Sequence, residues 1–208
     1  MYRIMMLSAI FFGFSTASGL QKKKNVPLKI IGLSVVLEMI LCMYMSFIGY
    51  LVITKGRTIG LNSTGAALGM ILGVLIFSKI TPQYKKVFFE SYVIVLPLMY
   101  GLGKIGCAFA GCCAGIPYNG FMRVHTANGD LFPIQKLEAV VFLLLFAGSL
   151  LLYFKDCFNP SHAVIIYCIA KIALDFLRIG HVDHLITTNQ IMCAAIMAFF
   201  ILYTSKSS

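Results

Sequence analysis

Long apolar stretches separated by short polar segments run through the whole chain. Each stretch approaches the roughly 20 residues that an α-helix needs to cross a bilayer. None alternates apolar and polar residues in the way that a barrel strand does. No connecting segment is long enough to fold alone, so a single integral-membrane domain over 1–208 is expected. We predict an all-α, polytopic membrane helix bundle of about seven transmembrane helices, over 4–20, 28–53, 58–80, 87–111, 133–154, 161–179 and 188–204.

The composition also indicates a membrane protein. Apolar residues make up 60% of the chain and charged residues 12%, which is half of the roughly 25% charged residues in ordinary soluble domains. These values exclude a soluble enzyme, a disordered tail and a secreted disulfide-rich mini-domain. The formal net charge of +10 is explained by basic loops that face an anionic leaflet. No nucleic acid partner is therefore expected.

Lysine and arginine positions predict the orientation of the bundle. The run Lys22–Lys24 directly after the first stretch is typical of the cytoplasmic end of a span. With that run inside, the inner ends collect Lys22, Lys23, Lys24, Lys29, Lys79, Lys85, Lys86, Lys155 and Lys206. The outer ends collect fewer basic residues, namely Arg3, Lys55, Arg57, Arg123 and Arg178. The excess predicts an N-terminus outside and a C-terminus inside.

The first stretch also resembles a signal peptide. Arg3 precedes an apolar core, and small residues follow at 15–19, as they do before a signal cleavage site. The run Lys22–Lys24 would be an awkward start for a mature exported chain. A retained helix is therefore expected.

Ionisable residues inside predicted spans are costly, and each is a functional candidate. They are Glu38, Glu90, Lys104, Lys136, Glu138, Lys171, Asp175 and Arg178. With the N-terminus outside, polar residues of five spans fall in the outer half of the membrane, at Asn62–Thr64, Lys104, Gln135 with Glu138, Lys171–Arg178 and Thr188–Gln190. We predict a pocket that these spans build together near the outer leaflet; Glu38 and Glu90 receive no role.

One predicted helix face concentrates charge. Lys171, Asp175 and Arg178 are spaced at i, i+4 and i+7, which places them on the same side of a helix. A guanidinium fork and an ammonium group suit a lipid phosphate. The alternative is an internal ion pair, in which Asp175 holds Arg178 or Lys171.

Glycines have two expected uses. The G-x-x-x-G steps at Gly65, Gly69 and Gly73 predict close helix packing. The glycine-rich run 101–115 predicts a helix end or a broken helix with exposed backbone N–H groups. The turn-rich segment 114–132 is either a cap over an outer cavity or an ordinary surface loop.

The seven cysteines are odd in number and scattered through the spans, which argues against a disulfide framework. Cys107, Cys112 and Cys113 form a cluster that could bridge internally, act as a nucleophile or redox centre, or bind metal. The segment 181–184, with two histidines and an aspartate, could complete a metal site. The spacing is not that of a common motif, so no metal is expected.

Several motifs resemble one enzyme family. The stretch GLGKIGCAFAGCCAG at 101–115, with Ile116-Pro117-Tyr118 after it, is similar to the signature of prolipoprotein diacylglyceryl transferases, which reads roughly G-R-I-G-N-F-x-N-G-E-x-x-G, and more so to a cysteine-containing branch reading G-R-I-G-C-F-x-A-G-C-C-Y-G. The segments 132–138, 171–178 and 188–190 resemble H-P-S-Q-L-Y-E, R-F-x-x-E-F-x-R and T-x-G-Q. The segment 60–69 resembles G-x-x-S-H-G-G-x-x-G.

The resemblance implies a seven-helix plasma-membrane enzyme with its site at the outer leaflet and no metal or organic cofactor. Its reaction would move diacylglyceryl from phosphatidylglycerol, or a related anionic lipid, to the cysteine thiol of a prolipoprotein or another thiol acceptor. It implies catalytic roles for Lys104, Arg178, Glu138, Thr64 and Cys107. It implies substrate-binding roles for Gln135, Asp175, Lys171, Asn62, Cys112, Cys113 and Gln190.

Four positions depart from the family pattern. Thr64 stands where the family has a histidine, and Lys104, Cys107 and Cys112 replace an arginine, an asparagine and a glutamate. Threonine is not a general base at neutral pH. Two alternatives therefore accompany the transferase: a catalytically degenerate lipid- or partner-binding paralogue, and a membrane thiol enzyme that uses Cys107, Cys112 or Cys113.

Overall fold

The computed structural model describes residues 1–126, 129–181 and 185–205, without the side chain of Tyr203. Seven α-helices lie in this part of the chain: α1 Tyr2–Lys23, α2 Leu28–Thr54, α3 Ser63–Ile80, α4 Lys85–Ala110, α5 Ile134–Phe154, α6 Pro160–Asp175 and α7 Thr188–Ser205. The five from α1 to α5 are long and apolar enough to cross a membrane, and α7 is a shorter apolar helix. The predicted class, an all-α membrane helix bundle, is confirmed.

Helix α4 organises the bundle. It packs against α1, α3, α5 and α6, while α2 packs against α3 and α6 packs against α7. One apolar core lies around Phe142, Tyr167 and Phe200, and a second surrounds Phe88 and Tyr92. The N-terminal ends of α3, α5 and α7 therefore meet the C-terminal ends of α4 and α6 at one end of the bundle.

The start of α3 and the end of α4 test two predictions. The third span begins at Ser63 rather than at 58, because the Asn62 side chain accepts a hydrogen bond from the Gly65 backbone N–H at 2.7 Å and caps the helix. Of the two alternatives for the glycine-rich run 101–115, the helix end is confirmed, and the broken helix with exposed backbone N–H groups is wrong. Helix α4 continues to Ala110 and ends at Gly111, whose φ of 67° is left-handed, so the end exposes carbonyls rather than N–H groups.

The predicted face of α6 also needs correction. The α-helix ends at Asp175, and the Arg178 N–H then donates to the Asp175 carbonyl at 3.0 Å in a turn. Arg178 is therefore not the i+7 member of a helical stripe. It still reaches the same place as Lys171 and Asp175, because the turn folds its side chain back over the end of α6.

The glycine steps of α3 do serve close packing. A Cβ built on Gly65 or Gly69 would collide with backbone atoms of α2, the Met45 and Leu41 carbonyls respectively. A Cβ on Gly73 would lie 2.6 Å from the Glu38 carboxyl carbon. Glu38 is fully buried, and its carboxyl oxygens have no hydrogen-bond partner among the described residues.

Gly69→Ala is expected to lower the free energy of unfolding by about 1–3 kcal/mol, the usual cost of overpacking. The new methyl group would lie 2.9 Å from the Cys42 Cα, so α2 and α3 would have to separate. Gly148→Ala is the matched control, because nothing lies within 4 Å of its added Cβ. Thermal unfolding in detergent compares the two; equal midpoints would show that the close contact contributes nothing.

The connection between α4 and α5 carries the only strands in the described residues. Strand β1, Val124–Thr126, pairs antiparallel with β2, Gly129–Leu131, and Val124 faces Leu131. This hairpin is largely exposed, and Phe121 beside it is 89% exposed. The beginning of the connection, by contrast, packs onto the end of α6.

Candidate active site

A buried carboxylate, Glu138 on α5, is the centre of the polar end of the bundle. Its side chain is fully buried, and both carboxylate oxygens accept hydrogen bonds from Arg178 Nη2, at 2.7 and 2.8 Å. Lys104 Nζ lies 3.1 Å from Oε2, and Lys171 Nζ lies 3.3 Å from Oε1. The Tyr100 hydroxyl donates to Oε1 at 2.7 Å. Three cations from three segments thus converge on one anion.

A second carboxylate, Asp175, joins this group. Its Oδ1 lies 3.5 Å from Lys171 Nζ and 3.4 Å from Arg178 Nε, and the Thr187 hydroxyl donates to Oδ2. The internal ion pair considered as an alternative is therefore present. We call Lys104, Glu138, Lys171, Asp175 and Arg178 the cationic cluster, because its three cations exceed its two carboxylates and leave a net charge of +1.

The backbone around Arg178 is fixed by the connection that follows α4. The Ile116 N–H donates to the Leu177 carbonyl at 3.1 Å, and the Ile179 N–H donates to the Ala114 carbonyl at 3.1 Å. Gly115 forms an isolated antiparallel β-bridge with Arg178. This residue must be glycine, because a Cβ there would lie 3.0 Å from the Phe132 carbonyl carbon and closer still to the carbonyl oxygen. The start of the segment 114–132 therefore positions the site.

Arg178 also faces a cavity of about 210 Å³. Its Nη2 is committed to Glu138 and accompanied by the Tyr100 hydroxyl at 3.2 Å. Its Nε is buried and makes no hydrogen bond with the described residues. The cavity is lined by Cys113, Ala114, Asp175, Arg178, Ile179, Gly180, Thr187 and Asn189. An anion in this cavity would meet an arginine whose Nε lies 3.4 Å from Asp175 Oδ1 but makes no hydrogen bond with the described residues.

An amide cluster lies beside the cavity. Asn62 Nδ2 and the Thr64 hydroxyl both donate to Asn189 Oδ1, at 3.1 and 3.2 Å. Thr64 is buried, with 5% of its surface exposed. Since its hydroxyl donates a proton to this hydrogen bond, Thr64 orients Asn189 in this arrangement. Asn62 and Thr64 therefore reach the cavity through Asn189.

The two glutamines with predicted substrate-binding roles, Gln135 and Gln190, hydrogen bond to backbone groups and do not line the cavity. Gln135 Nε2 donates to the Cys112 carbonyl at 2.7 Å. Gln190 Oε1 accepts from the Thr187 N–H at 3.1 Å, and its Nε2 donates to the Ile172 carbonyl at 3.4 Å. Both side chains therefore hold the segments that carry the site.

The three clustered cysteines meet at the end of α4. The sulfur atoms of Cys107, Cys112 and Cys113 all lie within 4.8 Å of one another, and all three are free thiols. A hydrogen bond with Cys107, helped by the positive charges of Lys104 and Arg178, lowers the pKa of the Cys113 thiol below its ordinary value. This cysteine lines the cavity and is exposed.

The predicted histidine contribution to a metal site is only partly described. His181 Nε2 lies 3.7 Å from Asp175 Oδ2, and the His181 ring packs on Phe176 with ring centroids 4.7 Å apart. Asp183 and His184 lie outside the described residues. The structure therefore places His181 with the cationic cluster.

Sequence reasoning missed two residues of the site, Tyr100 and Thr187. Tyr100 lies beneath two ammonium groups, with Lys104 and Lys171 Nζ 5.2 and 5.3 Å from its ring centroid. Its position one helical turn before Lys104 was an available signal. Thr187 lies just before the predicted start of α7, whereas Asn189 belongs to the predicted polar segment Thr188–Gln190 but was given no role of its own.

The chain thus combines a membrane helix bundle with a polar end, where the cationic cluster, with its net charge of +1, lies beside a cavity. The residues of the cluster belong to the motifs that resemble the family. The sequence model of the family described as prolipoprotein diacylglyceryl transferase matches residues 1–205. The chain belongs to the prolipoprotein diacylglyceryl transferase family.

Three relatives carry the name phosphatidylglycerol–prolipoprotein diacylglyceryl transferase. The protein of Clostridium tetani is 30% identical over 125 residues, which is 55% of this chain and 50% of that protein. The protein of Chloroherpeton thalassium is 27% identical over 136 residues, 60% of this chain and 50% of its own length. That of Dehalococcoides mccartyi is 25% identical over 134 residues, with 58% and 51% covered. The chain spans about half the length of these curated relatives.

Proposed function

We propose that the chain is a phosphatidylglycerol–prolipoprotein diacylglyceryl transferase, which moves diacylglyceryl from phosphatidylglycerol to a cysteine thiol of a prolipoprotein. The observation that carries this proposal is the placement of Arg178. Glu138 fixes one nitrogen of the guanidinium, while Arg178 lines the cavity and its Nε, 3.4 Å from Asp175 Oδ1, makes no hydrogen bond with the described residues. Family membership and the three named relatives support the same reaction.

The cavity suits the polar part of this lipid. A phosphate needs charge-assisted hydrogen bonds. Arg178 lines the cavity, and its Nε makes no hydrogen bond with the described residues and can donate one. Asp175 Oδ1 contacts Arg178 Nε and Lys171 Nζ at 3.4 and 3.5 Å but has no hydrogen-bond partner among the described residues, so it can accept from a hydroxyl of the glycerol headgroup. Lys104 and Lys171 keep the surroundings positive although Glu138 is ionised.

The proposed reaction is a nucleophilic substitution, in which a thiolate is the nucleophile and glycerol phosphate is the leaving group. A thiolate attacks the glyceryl carbon, the carbon–oxygen bond to the phosphate breaks, and glycerol phosphate leaves with the bonding electrons. Arg178, positioned by Glu138 and Tyr100, stabilises the charge that develops on the phosphate. Asn62 and Thr64 hold Asn189 at the cavity wall, where its amide can bind substrate.

We further propose that the chain is one integral-membrane domain in the plasma membrane, with this site at the outer leaflet. The charge distribution supports the proposal. Opposite the site, the bundle presents the lysine-rich ends of α1, α4 and α5, at Lys22–Lys24, Lys85, Lys86 and Lys155. Such an excess marks the cytoplasmic side.

The decisive experiment mixes the purified chain, in detergent, with phosphatidylglycerol and a peptide that carries a lipobox cysteine. We expect release of glycerol phosphate together with a peptide heavier by one diacylglyceryl group, measured by mass spectrometry. A peptide with serine in place of the cysteine is the control and should remain unmodified. Phosphatidylglycerol binding without turnover would contradict the transferase and favour a lipid-binding paralogue.

A further inference from the structure

The proposed transfer reaction gives no role to the three clustered thiols of Cys107, Cys112 and Cys113. Their sulfur atoms lie within 4.8 Å of one another. Zinc binds thiolate sulfur at about 2.3 Å, so three sulfurs around one ion lie about 4 Å apart. Small side-chain movements would therefore bring Cys107, Cys112 and Cys113 to a single ion.

The backbone holds these cysteines in place. Gly111 and Cys113 both have left-handed conformations, with φ of 67° and 59°, and such a conformation at a non-glycine residue persists only where its surroundings impose it. The Cys112 N–H donates to the Cys107 carbonyl at 3.3 Å, and Gln135 holds the Cys112 carbonyl from α5. The loop is thus fixed so that its thiols turn back toward Cys107.

The surrounding charge suits a thiolate complex. Three thiolates and one divalent ion carry a net charge of −1, which complements the net charge of +1 of the cationic cluster. Lys104 lies one helical turn before Cys107 on α4, and Arg178 lines the same cavity as Cys113. The cations would repel a bare metal ion, but they favour the ionised thiols that bind it.

We propose that Cys107, Cys112 and Cys113 bind one zinc-class divalent ion and leave its fourth position open. Three protein ligands with an open fourth position are the arrangement of catalytic rather than structural zinc sites. Because Cys113 lines the cavity beside Arg178, the open position faces the space assigned to the lipid headgroup.

A role for the ion follows, and it rests on the proposed transferase function. The acceptor thiol would occupy the fourth position as a thiolate, since a coordinated thiol loses its proton, and that proton passes to water. The sulfur then forms a bond to the glyceryl carbon, the carbon–oxygen bond breaks, and the phosphate leaves with the electron pair toward Arg178. The ion keeps its charge throughout, and the site replaces the base that Thr64 cannot provide.

The first test measures metal binding without lipid. Reduced, purified protein titrated with Co²⁺ should bind one equivalent, with sulfur-to-cobalt charge-transfer absorption and the visible bands of a tetrahedral site, and Zn²⁺ should displace it. Cys113→Ser should weaken binding at least tenfold, whereas Cys157→Ser, an exposed thiol beyond α5, should leave it unchanged. Should Cys113→Ser fold poorly, Cys112→Ser is the second variant, and it should show the same loss.

A second titration tests the open position. A short cysteine peptide added to the Co²⁺ protein should strengthen and shift the charge-transfer band, and the serine peptide should not. The inference is overturned by a reduced protein without a thiolate–metal band, by a disulfide within the cluster of the freshly purified protein, or by a band that survives Cys113→Ser and Cys112→Ser.

The outcomes separate this inference from the transferase itself. A band that responds to the cysteine peptide, in a protein that releases no glycerol phosphate, supports the metal site while the proposed function fails. Glycerol phosphate release that is unaffected by a chelator and by Cys113→Ser overturns the metal role and leaves the proposed function intact.

Discussion

Glu138→Gln should lower the free energy of unfolding by about 3–5 kcal/mol, which is the usual consequence of removing one partner from a buried ion pair. Glu138 is the anion that Lys104, Lys171 and Arg178 share, and it is fully buried. The amide keeps the size of the side chain but removes its charge, so three cations would face one remaining carboxylate, Asp175. Denaturant unfolding in mixed micelles, followed by circular dichroism, measures the change.

Glu90→Gln is the matched control for that measurement. Glu90 pairs with Lys86 Nζ at 3.7 Å, and the Lys86 side chain is 86% exposed, so water can solvate the cation once its partner is neutral. Glu90 itself is buried, but because its partner stays in water we expect a loss closer to the range of about 0–1 kcal/mol for exposed pairs. If Glu138→Gln were no more harmful than Glu90→Gln, Glu138 could not be the anion that holds the cluster together.

A second substitution should partly rescue the first. Lys171→Met removes an ammonium group that contacts both carboxylates while keeping an unbranched side chain. In Glu138→Gln/Lys171→Met the cluster regains its original net charge of +1, so the double variant should be more stable than Glu138→Gln alone. Additive losses would show that the charges do not interact.

The helices could be predicted from the sequence because the length of each apolar stretch is close to that of a membrane-spanning helix. The end of α6 could not. Phe176 and Leu177 continue the apolar run, and the first strong breaker is Gly180. The helix ends earlier because the backbone at 114–116 hydrogen bonds to Leu177 and Ile179. That partner is distant in the chain, so no local pattern reveals it.

The site shows the same division between local and tertiary information. Lys104, Glu138 and Arg178 could be chosen from the sequence because charge at span depth is rare. That Lys104 and Arg178 share Glu138 as their anion could not be predicted, since spacing defines a face on each helix but not which faces meet. Tyr100 was missed because a tyrosine in an apolar span has no distinctive hydropathy, although its hydroxyl contacts Glu138 and Arg178.

Arg178→Lys is expected to reduce glycerol phosphate release about 100-fold or more, the scale seen when one donor to a developing oxyanion is removed. Lysine preserves the charge but offers a single nitrogen. That nitrogen cannot occupy the place of Nη2 on Glu138 and the place of Nε beside Asp175 at once. We expect kcat/KM to fall, as measured with phosphatidylglycerol and the lipobox peptide at equal concentrations of folded protein.

Arg123→Lys is the control for charge and residue type at the same end of the bundle. Arg123 pairs with Asp130 through Nε at 3.0 Å, its side chain is 44% exposed, and it lies outside the cavity lining. Its replacement should leave both turnover and binding of radiolabelled phosphatidylglycerol unchanged. If the two variants lose activity and lipid binding equally, the positive end of the bundle acts as a diffuse field and Arg178 holds no phosphate. If only Arg178→Lys loses both, the guanidinium of Arg178 binds the phosphate, because neither substitution changes the charge of the protein.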